Sequence, residues 1–318
     1  MQDHIIHFLK KTDGYLSGEE ISRDLKISRA AIWKNIQELR EEGYDIVAVP
    51  HLGYKLISSP DKLLPREIQF NLGTKILGKN IIYEDVCPST MDLAFRLGFE
   101  GAPEGTIVCA EGQTKGRGRL GRSWSSPKGK GIYASIILRP SCPPNKASQL
   151  TLLSAVALCE AVKKTCGVEP AIKWPNDLLV GNKKLSGILT ELSAEMDRVR
   201  FVVIGFGINV NTPMNLLPPT ATSLRHETHQ TASRVELLQE ILRHLEKWYC
   251  ILKEEGFSKI VKRWKELSNT LGRRVRVEGV GEYIEGQAMD IDENGSLIIR
   301  DDTGIKIKRM AGDVVFVR

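Results

Sequence analysis

From Lys115 to Lys130 the chain places six cations and no acid within sixteen residues: Lys115, Arg117, Arg119, Arg122, Lys128 and Lys130. This stretch has to be an irregular loop, because Ser125-Ser126-Pro127 and the glycines at 129 and 131 forbid a helix. Its charge equals the formal excess of the whole chain, +6, so without it the protein is neutral. Glycines at 116, 118 and 121 leave backbone N–H groups unshielded and admit close approach, while arginine forks at 117, 119 and 122 match phosphate oxygens. With Trp124 interleaved, the pattern predicts a clamp for a polyanion; the plain alternative is a solvated basic loop.

Two phosphate motifs come close and fail. Gly116-x-Gly118-x-x-Gly121 has the spacing of a dinucleotide fingerprint, but that fingerprint opens a helix at its last glycine and needs an acid about 20 positions on, where this chain offers Arg139. Gly129-Lys130 is not a P-loop, since Gly131 stands where Ser or Thr must reach magnesium and Trp124 where the opening glycine belongs. A nicotinamide cofactor is therefore not expected.

A second island runs from Lys173-Trp-Pro-Asn-Asp177 through Leu-Leu-Val to a Gly181-Asn182 turn and back through Lys183-Lys184-Leu-Ser-Gly187. It predicts a loop and a hairpin. Strict alternation puts Lys184, Ser186 and Ile188 on one face and Lys183, Leu185 and Leu189 on the other, so one lysine can be buried while its neighbour stays wet. On spacing alone a lysine beside a turn is solvent decoration.

Together these islands, with Ser89-Thr90 upstream and Gly205-Phe-Gly-Ile-Asn209 downstream, resemble the signature of the biotin protein ligases. Gly-Arg-Gly-Arg-x-Gly-Arg combined with Lys-Trp-Pro-Asn-Asp and Lys-Lys-Leu-x-Gly-Ile is far more specific than any piece alone. A helix-turn-helix pattern at the N-terminus makes the whole chain similar to the bifunctional subgroup that is both ligase and biotin operon repressor.

The resemblance implies biotin and ATP as substrates, with Mg2+ accompanying ATP. It assigns biotin to Ser89, Thr90, Met91, Gln113, Gly116, Arg117, Gly118, Arg119, Lys184 and Gly187, and ATP to Arg117, Arg119, Arg122, Trp124, Lys184 and Asn209. Lys184, Arg117, Arg119, Asp177 and Asn176 form the catalytic set, with Asn176 and Asp177 placing magnesium or the incoming lysine and Asp177 a proton acceptor. Many relatives carry Asn after Ser-Thr; Met91 stands there here, so a side-chain amide contact is lost. Simple structural roles stand beside these, Ser89-Thr90 as a helix N-cap and Asn176-Asp177 as braces of the Pro175 turn. The implied partners are a biotin carboxyl carrier protein, operator DNA and, once loaded with biotinyl-adenylate, a second copy in a homodimer. Ordering of the clamp on ligand would protect the labile adenylate and expose the dimer edge.

Residues 1 to 57 support the helix-turn-helix directly. Ile5, Phe8 and Leu9 mark one helix face, Ile21 and Leu25 a second, and Ile32, Ile36 and Leu39 a third, with Ser17 and Ser28 as N-caps. Residues 44 to 49 and 54 to 57 alternate as the strands of a wing. Ser28, Arg29, Lys34 and Asn35 are the DNA-binding candidates. Residues 1 to 60 hold eight Lys/Arg against nine Asp/Glu, so one copy should bind DNA feebly and specific binding needs two. The alternative is a small domain that only docks on protein.

Ser58-Ser-Pro60 to Pro65 reads as a linker. Strands near 80 to 86, 105 to 110, 131 to 138, 178 to 193 and 199 to 209 surround helices near 90 to 98 and 146 to 165, and amphipathic helices near 233 to 253 and 257 to 268 cover the other end. From Thr270 short strands separated by glycine turns follow. The expected fold is α+β: an N-terminal winged helix-turn-helix (1–60), a central, mostly antiparallel α/β ligase domain of class II synthetase type (65–268), and a C-terminal SH3-like β-barrel (270–318). No 18-residue apolar run and no leader-like start occur, which predicts a cytoplasmic protein without a membrane partner. Six cysteines without a C-x-x-C pair are expected as free thiols, and His226-x-x-His229 lacks partners at metal spacing, so no protein metal site is expected. Two rivals remain. A lipoate ligase would share the fold, but no Arg-Arg-x-x-Gly-Gly-Gly run is present; a ligand sensor without ligase activity would not need Lys184, Asn176 and Asp177.

Overall fold

Capping chemistry sets the first helices. In the computed structural model, which describes residues 1–279 and 282–317, Ser17 and Glu20 form a reciprocal capping box (Ser17 N to Glu20 Oε2 2.9 Å, Glu20 N to Ser17 Oγ 3.1 Å) that starts one helix, and Ser28 Oγ accepts from Ala31 N to start the next. The first of two units, Met1–Lys62, comprises α1 (Gln2–Lys11), α2 (Gly18–Leu25), α3 (Arg29–Glu41), β1 (Asp45–Val49) and β2 (Gly53–Ser58), the two strands pairing antiparallel. Ile5, Ile6, Leu9, Ile21, Ile32, Ile36, Leu39 and Ile46 fill its core.

The second unit begins at Leu63. Its elements are α4 (Pro65–Gln69), β3 (Ile81–Cys87), α5 (Thr90–Phe99), β4 (Ile107–Gln113), β5 (Ile132–Leu138), α6 (Ala147–Cys166), β6 (Ala171–Lys173), β7 (Asp177–Val180), β8 (Lys183–Glu195), β9 (Arg198–Ile208), α7 (Leu224–Thr228), α8 (Arg234–Glu255) and α9 (Ser258–Leu267). Seven strands form a sheet in the order β3-β4-β5-β9-β8-β7-β6, where β3 and β4 run parallel and every other neighbouring pair is antiparallel. The two faces follow from alternation along β9. Val202, Ile204, Phe206 and Ile208 point into the main core with α6, while Phe201 and Val203 pack with Met91 and Ala94 of α5 on the opposite face. At 205 and 207 that second face carries glycine, and the sheet is left bare.

Helices α8 and α9 pack on α6, and α9 also touches β6. A half-buried carboxylate, Glu160 of α6, binds the three together: Arg263 Nε donates to its Oε1 (2.8 Å), Trp248 Nε1 to its Oε2 (2.9 Å), and His244 Nδ1 lies 3.1 Å from Oε2. Burial pushes this carboxyl up, but the hydrogen bonds from His244, Trp248 and Arg263 outweigh it and hold the group at about 2. A depressed carboxyl stabilises the fold above its unfolded-state value of 4.5 and loses that contribution as pH falls toward 2. Glu160→Gln is therefore expected to cost roughly 2 kcal/mol near neutrality. In urea titrations the gap from the parent should close toward about pH 3; a gap independent of pH would refute the charge argument.

A five-stranded sheet completes the chain, from β10 (Arg274–Glu278), β11 (Tyr283–Ile291), β12 (Leu297–Arg300), β13 (Lys306–Arg309) and β14 (Asp313–Phe316), in the order β13-β12-β11-β10-β14. Val275, Val277, Leu297, Ile299 and Val314 merge with the main core. Trp174 Nε1 donates to Gly295 O (3.0 Å) and Gln149 Nε2 to Glu293 O (2.9 Å) across the seam. Of the span from 270 to 318, Val280, Gly281 and Arg318 lie outside the described residues. The six cysteines are free thiols. No helix among the described residues is long and apolar enough to cross a membrane.

Candidate active site

The bare patch on β9 and β8 is the floor of a cleft with an empty volume of about 720 Å3, mouth included. A Cβ on Gly205 would stand 2.3 Å from Met91 Sδ, and one on Gly207 would stand 2.4 Å from the Trp124 indole. A Cβ on Gly187, opposite Gly207 on β8, would likewise stand 3.3 Å from the same indole and 3.2 Å from Lys184 Nζ. Trp124 of the basic loop thus rests on a glycine floor that no side-chain-bearing residue could supply. Its indole N–H is buried and has no hydrogen-bond partner among the described residues.

Lys184 reaches this floor by a route the alternation pattern missed. Along β7 and β8, Leu178 pairs with Ser186 but Leu179 with Lys184, so Leu185 is an extra residue, a β-bulge. The bulge reverses the phase of the strand. Lys184 consequently shares the cleft face with Gly187 and Leu189, not the core face with Ser186 and Ile188 as strict alternation predicts. Its Nζ sits 2.7 Å from Asp177 Oδ1 and 5.5 Å from the Trp124 ring centroid.

The basic loop is a tight hairpin. Trp124 N donates to Gly116 O (2.8 Å) and Gly118 N to Arg122 O (2.7 Å), with Leu120 at the tip in the left-handed region (φ 54°). Each arginine finds an anion or a carbonyl within the second unit. Arg117 Nη2 bridges Asp92 Oδ1 (2.8 Å) and Glu191 Oε2 (2.9 Å), Arg119 Nη1 donates to Asn176 Oδ1 (2.9 Å) and Gly312 O (3.3 Å), and Arg122 pairs with Asp313. Burial lowers the Arg119 guanidinium from its ordinary value, which the nearby Asp313 and Asp177 oppose. Lys173, opposite Asp177 in the β6–β7 pair, is likewise lowered by burial and lies 5.5 Å from the Phe316 ring centroid.

A polar relay supports the other wall. Ser135 Oγ donates to Thr90 Oγ1 (2.9 Å), Thr90 N and Oγ1 donate to Gln113 Oε1 (2.8 and 3.1 Å), and Gln113 Nε2 donates to Ser126 Oγ (2.9 Å). The cleft is lined by Thr90, Met91, Gln113, Arg117, Gly118, Arg119, Arg122, Trp124, Asn176, Asp177, Lys184 and Gly187. Three other sequence candidates sit behind that lining. Ser89 is buried as the N-cap of α5, accepting from Asp92 N (3.5 Å); Gly116 backs onto Trp124 O; and the Asn209 amide donates to Thr222 O (3.0 Å).

Sequence reasoning missed Asp313, which arrives from the C-terminal sheet about 190 positions after its arginine partner, a separation no local pattern can register. Gly205 and Gly207 were visible as glycines spaced two apart in a strand, a mark of close backbone approach. Among the described residues no group of three or more His, Cys, Asp or Glu could hold a metal ion.

In the first unit, Arg29 is exposed, Lys34 faces Glu38 at 3.9 Å, and Ser28 Oγ is engaged as the cap of α3. Asn35 Nδ2 donates to Ala31 O (2.8 Å), back onto its own helix.

Comparison with known proteins places these features. The biotin/lipoate A/B protein ligase family model matches residues 83–209, a helix-turn-helix domain model residues 2–55, and a biotin protein ligase C-terminal domain model residues 270–317. The chain is 43% identical over 309 residues to the bifunctional ligase/repressor BirA of Bacillus subtilis, covering 96% of this chain and 95% of the relative. It is 33% identical to that of Escherichia coli over 307 residues, covering 94% and 92%. The structure of a biotin protein ligase from Aquifex aeolicus in complex with biotin and ATP superposes with a TM-score of 0.65 at 30% identity, covering 76% of this chain and 99% of that one. The chain belongs to the biotin protein ligase family, in its bifunctional ligase/repressor branch.

Proposed function

We propose that this chain is an ATP-dependent biotin protein ligase that makes biotinyl-5′-adenylate, transfers biotin to a lysine of a biotin carboxyl carrier domain, and represses transcription of biotin genes when loaded. The observation that carries the reading is the convergence of Lys184, Arg117, Arg119 and Arg122 on one glycine-floored cleft. Direct attack of an amine on a carboxylate would have to expel oxide, so the acid is activated first. The biotin carboxylate oxygen attacks the α-phosphorus, the bond to the bridging oxygen breaks, and pyrophosphate departs with the electron pair. Both reactants are anions. Lys184, leaving Asp177, neutralises the carboxylate and an α-phosphate oxygen, and Arg117, Arg119 and Arg122 hold the phosphates as charge moves onto the leaving group. Thr90 and Gln113 face the ureido ring of biotin, and Trp124 packs on the adenine.

Magnesium carried in by the nucleotide would supply charge neutralisation at the phosphate oxygens. Asn176 Oδ1 and the Asp177 carboxylate are hard oxygen donors that fit it, and so small a set fits an ion held mainly by phosphate and water. In the second step the carrier lysine attacks the carbonyl of the mixed anhydride, AMP leaves, and Asp177 takes the amine proton. The direct test is biotin-dependent pyrophosphate release from ATP by the pure protein, followed by transfer to a carrier domain. Release with lipoate instead of biotin, or none at all, would overturn the reading.

The antiparallel pair β1–β2 after α3 is the wing of a winged helix-turn-helix spanning 1–60, in which Ser28, Arg29 and Lys34 meet operator DNA. The central domain, 65–268, is of class II synthetase type, and the short strands of 270–318 make an SH3-like barrel. Beyond Gly187 the outer edge of β8 has no strand beside it among the described residues, an open edge suited to pairing with a second copy. All these partners meet in the cytoplasm.

Asp313 occupies the arginines that ATP needs. Because partly exposed ion pairs contribute modestly, Asp313→Asn is expected to lower the KM for ATP by only about two- to fivefold. The KM for biotin should not change. A rise in the KM for ATP would mean that Asp313 instead holds the arginines in their binding pose.

A further inference from the structure

Of the five tryptophans, Trp33 alone stands out in solvent at 59% exposed; Trp174, Trp248 and Trp264 are buried and Trp124 half-buried. Single exposed apolar residues are ordinary; the surroundings of this one are not. Helix α3 buries Ile32, Ile36 and Leu39, and along the flank of that buried stripe Arg29 and, one turn on, Trp33 stand exposed, with Ala30 beside them. Arg29 forms no ion pair with any described residue, and Ala30 is too small to hinder approach. By contrast, Lys34 faces Glu38 and the Asn35 amide is spent on Ala31 O. The exposed surface of the helix thus sets an indole beside a guanidinium, with the exposed Lys34 ammonium next to them.

The charge of the unit sharpens the point. With eight Lys/Arg against nine Asp/Glu over residues 1 to 60, few phosphate contacts are on offer, so sequence-specific affinity must come from base edges. The apolar group displayed in the major groove is the thymine C5 methyl. We propose that Trp33 is a specificity-determining residue for DNA, packing its indole on thymine methyl groups in the major groove while Arg29 binds the neighbouring phosphate or base edge. The inference rests on the repressor reading and names what that reading leaves open, the group that reads sequence.

The experiment uses the full chain with biotin and ATP, and duplexes selected by the parent protein from a random-sequence pool. Trp33→Ala is expected to bind the selected duplex about tenfold or more weakly, with the salt dependence of binding unchanged and pyrophosphate release intact. Arg29→Ala should instead flatten the salt dependence. Replacing the contacted thymine by deoxyuridine removes one methyl, which should weaken the parent about three- to fivefold and leave Trp33→Ala indifferent. If the parent selects no duplex, the repressor reading falls and the inference with it. If the parent selects a sequence that Trp33→Ala binds equally well, the inference alone is overturned. A Trp33→Ala protein with altered mass in solution but parental DNA affinity would also overturn it, by making the indole a protein contact.

Discussion

Lys184→Ala is expected to lower biotin-dependent pyrophosphate release by about a hundredfold, with the fold intact. The magnitude follows from removing one preorganised donor where charge develops, a loss of about 2.7 to 4 kcal/mol in comparable sites. Folding should be spared because Lys184 is half-exposed on a strand held by Leu185 and Ser186, and its backbone bonds to Thr220 O and Thr222 N do not depend on the side chain. The substitution also strips Asp177 of its cation, leaving a partly buried carboxylate facing the incoming phosphates. Lys184→Arg keeps the charge but not the compact ammonium, and should recover little. Single-turnover measurement with saturating biotin and ATP separates chemistry from binding; a drop confined to KM would mean that Lys184 binds ground state and transition state alike.

Gly207→Ala should be nearly as damaging, without touching a charged group. Its Cβ would stand 2.4 Å from the Trp124 indole with strand backbone beneath, so the ring has to leave the floor. Because Trp124 N is bonded to Gly116 O, the displaced ring carries the arginine hairpin with it. The expected outcome is a rise in the KM for ATP of tenfold or more, since about 1.4 kcal/mol of lost contact is already tenfold. Biotin affinity should suffer less. Trp124→Ala in the Gly207→Ala background should add little to the defect, and two fully additive losses would show that the glycine acts on something other than the indole.

Much of this architecture was legible from residues alone, for local reasons. Capping by Ser17 and Ser28 and the Gly181-Asn182 turn are short-range signals that tertiary packing did not override. What escaped lay in long-range or irregular geometry. The bulge at Leu185 inverts the strand phase and puts Lys184 in the cleft, yet nothing in Lys183-Lys184-Leu-Ser announces it. Asp313 meets Arg122 only because β14 folds back across the chain. The helical spacing that recommended Asn35 as a DNA reader did not register its bond to the carbonyl one turn behind, and that same spacing gave Trp33 no special weight.

In the cleft Arg117, Arg119, Arg122 and Lys184 each already have an acidic neighbour: Asp92 and Glu191, Asp313, Asp313 and Asp177. Such a site behaves as an ion exchanger. A nucleotide that enters trades one set of carboxylates for its phosphates instead of meeting bare charge, so its capture should vary little with ionic strength. Stray polyanions, which lack a group to fill the glycine-floored pocket, have nothing to offer in the exchange, and a chain whose surplus charge sits almost wholly in one loop can keep that loop quiet until its own substrate arrives.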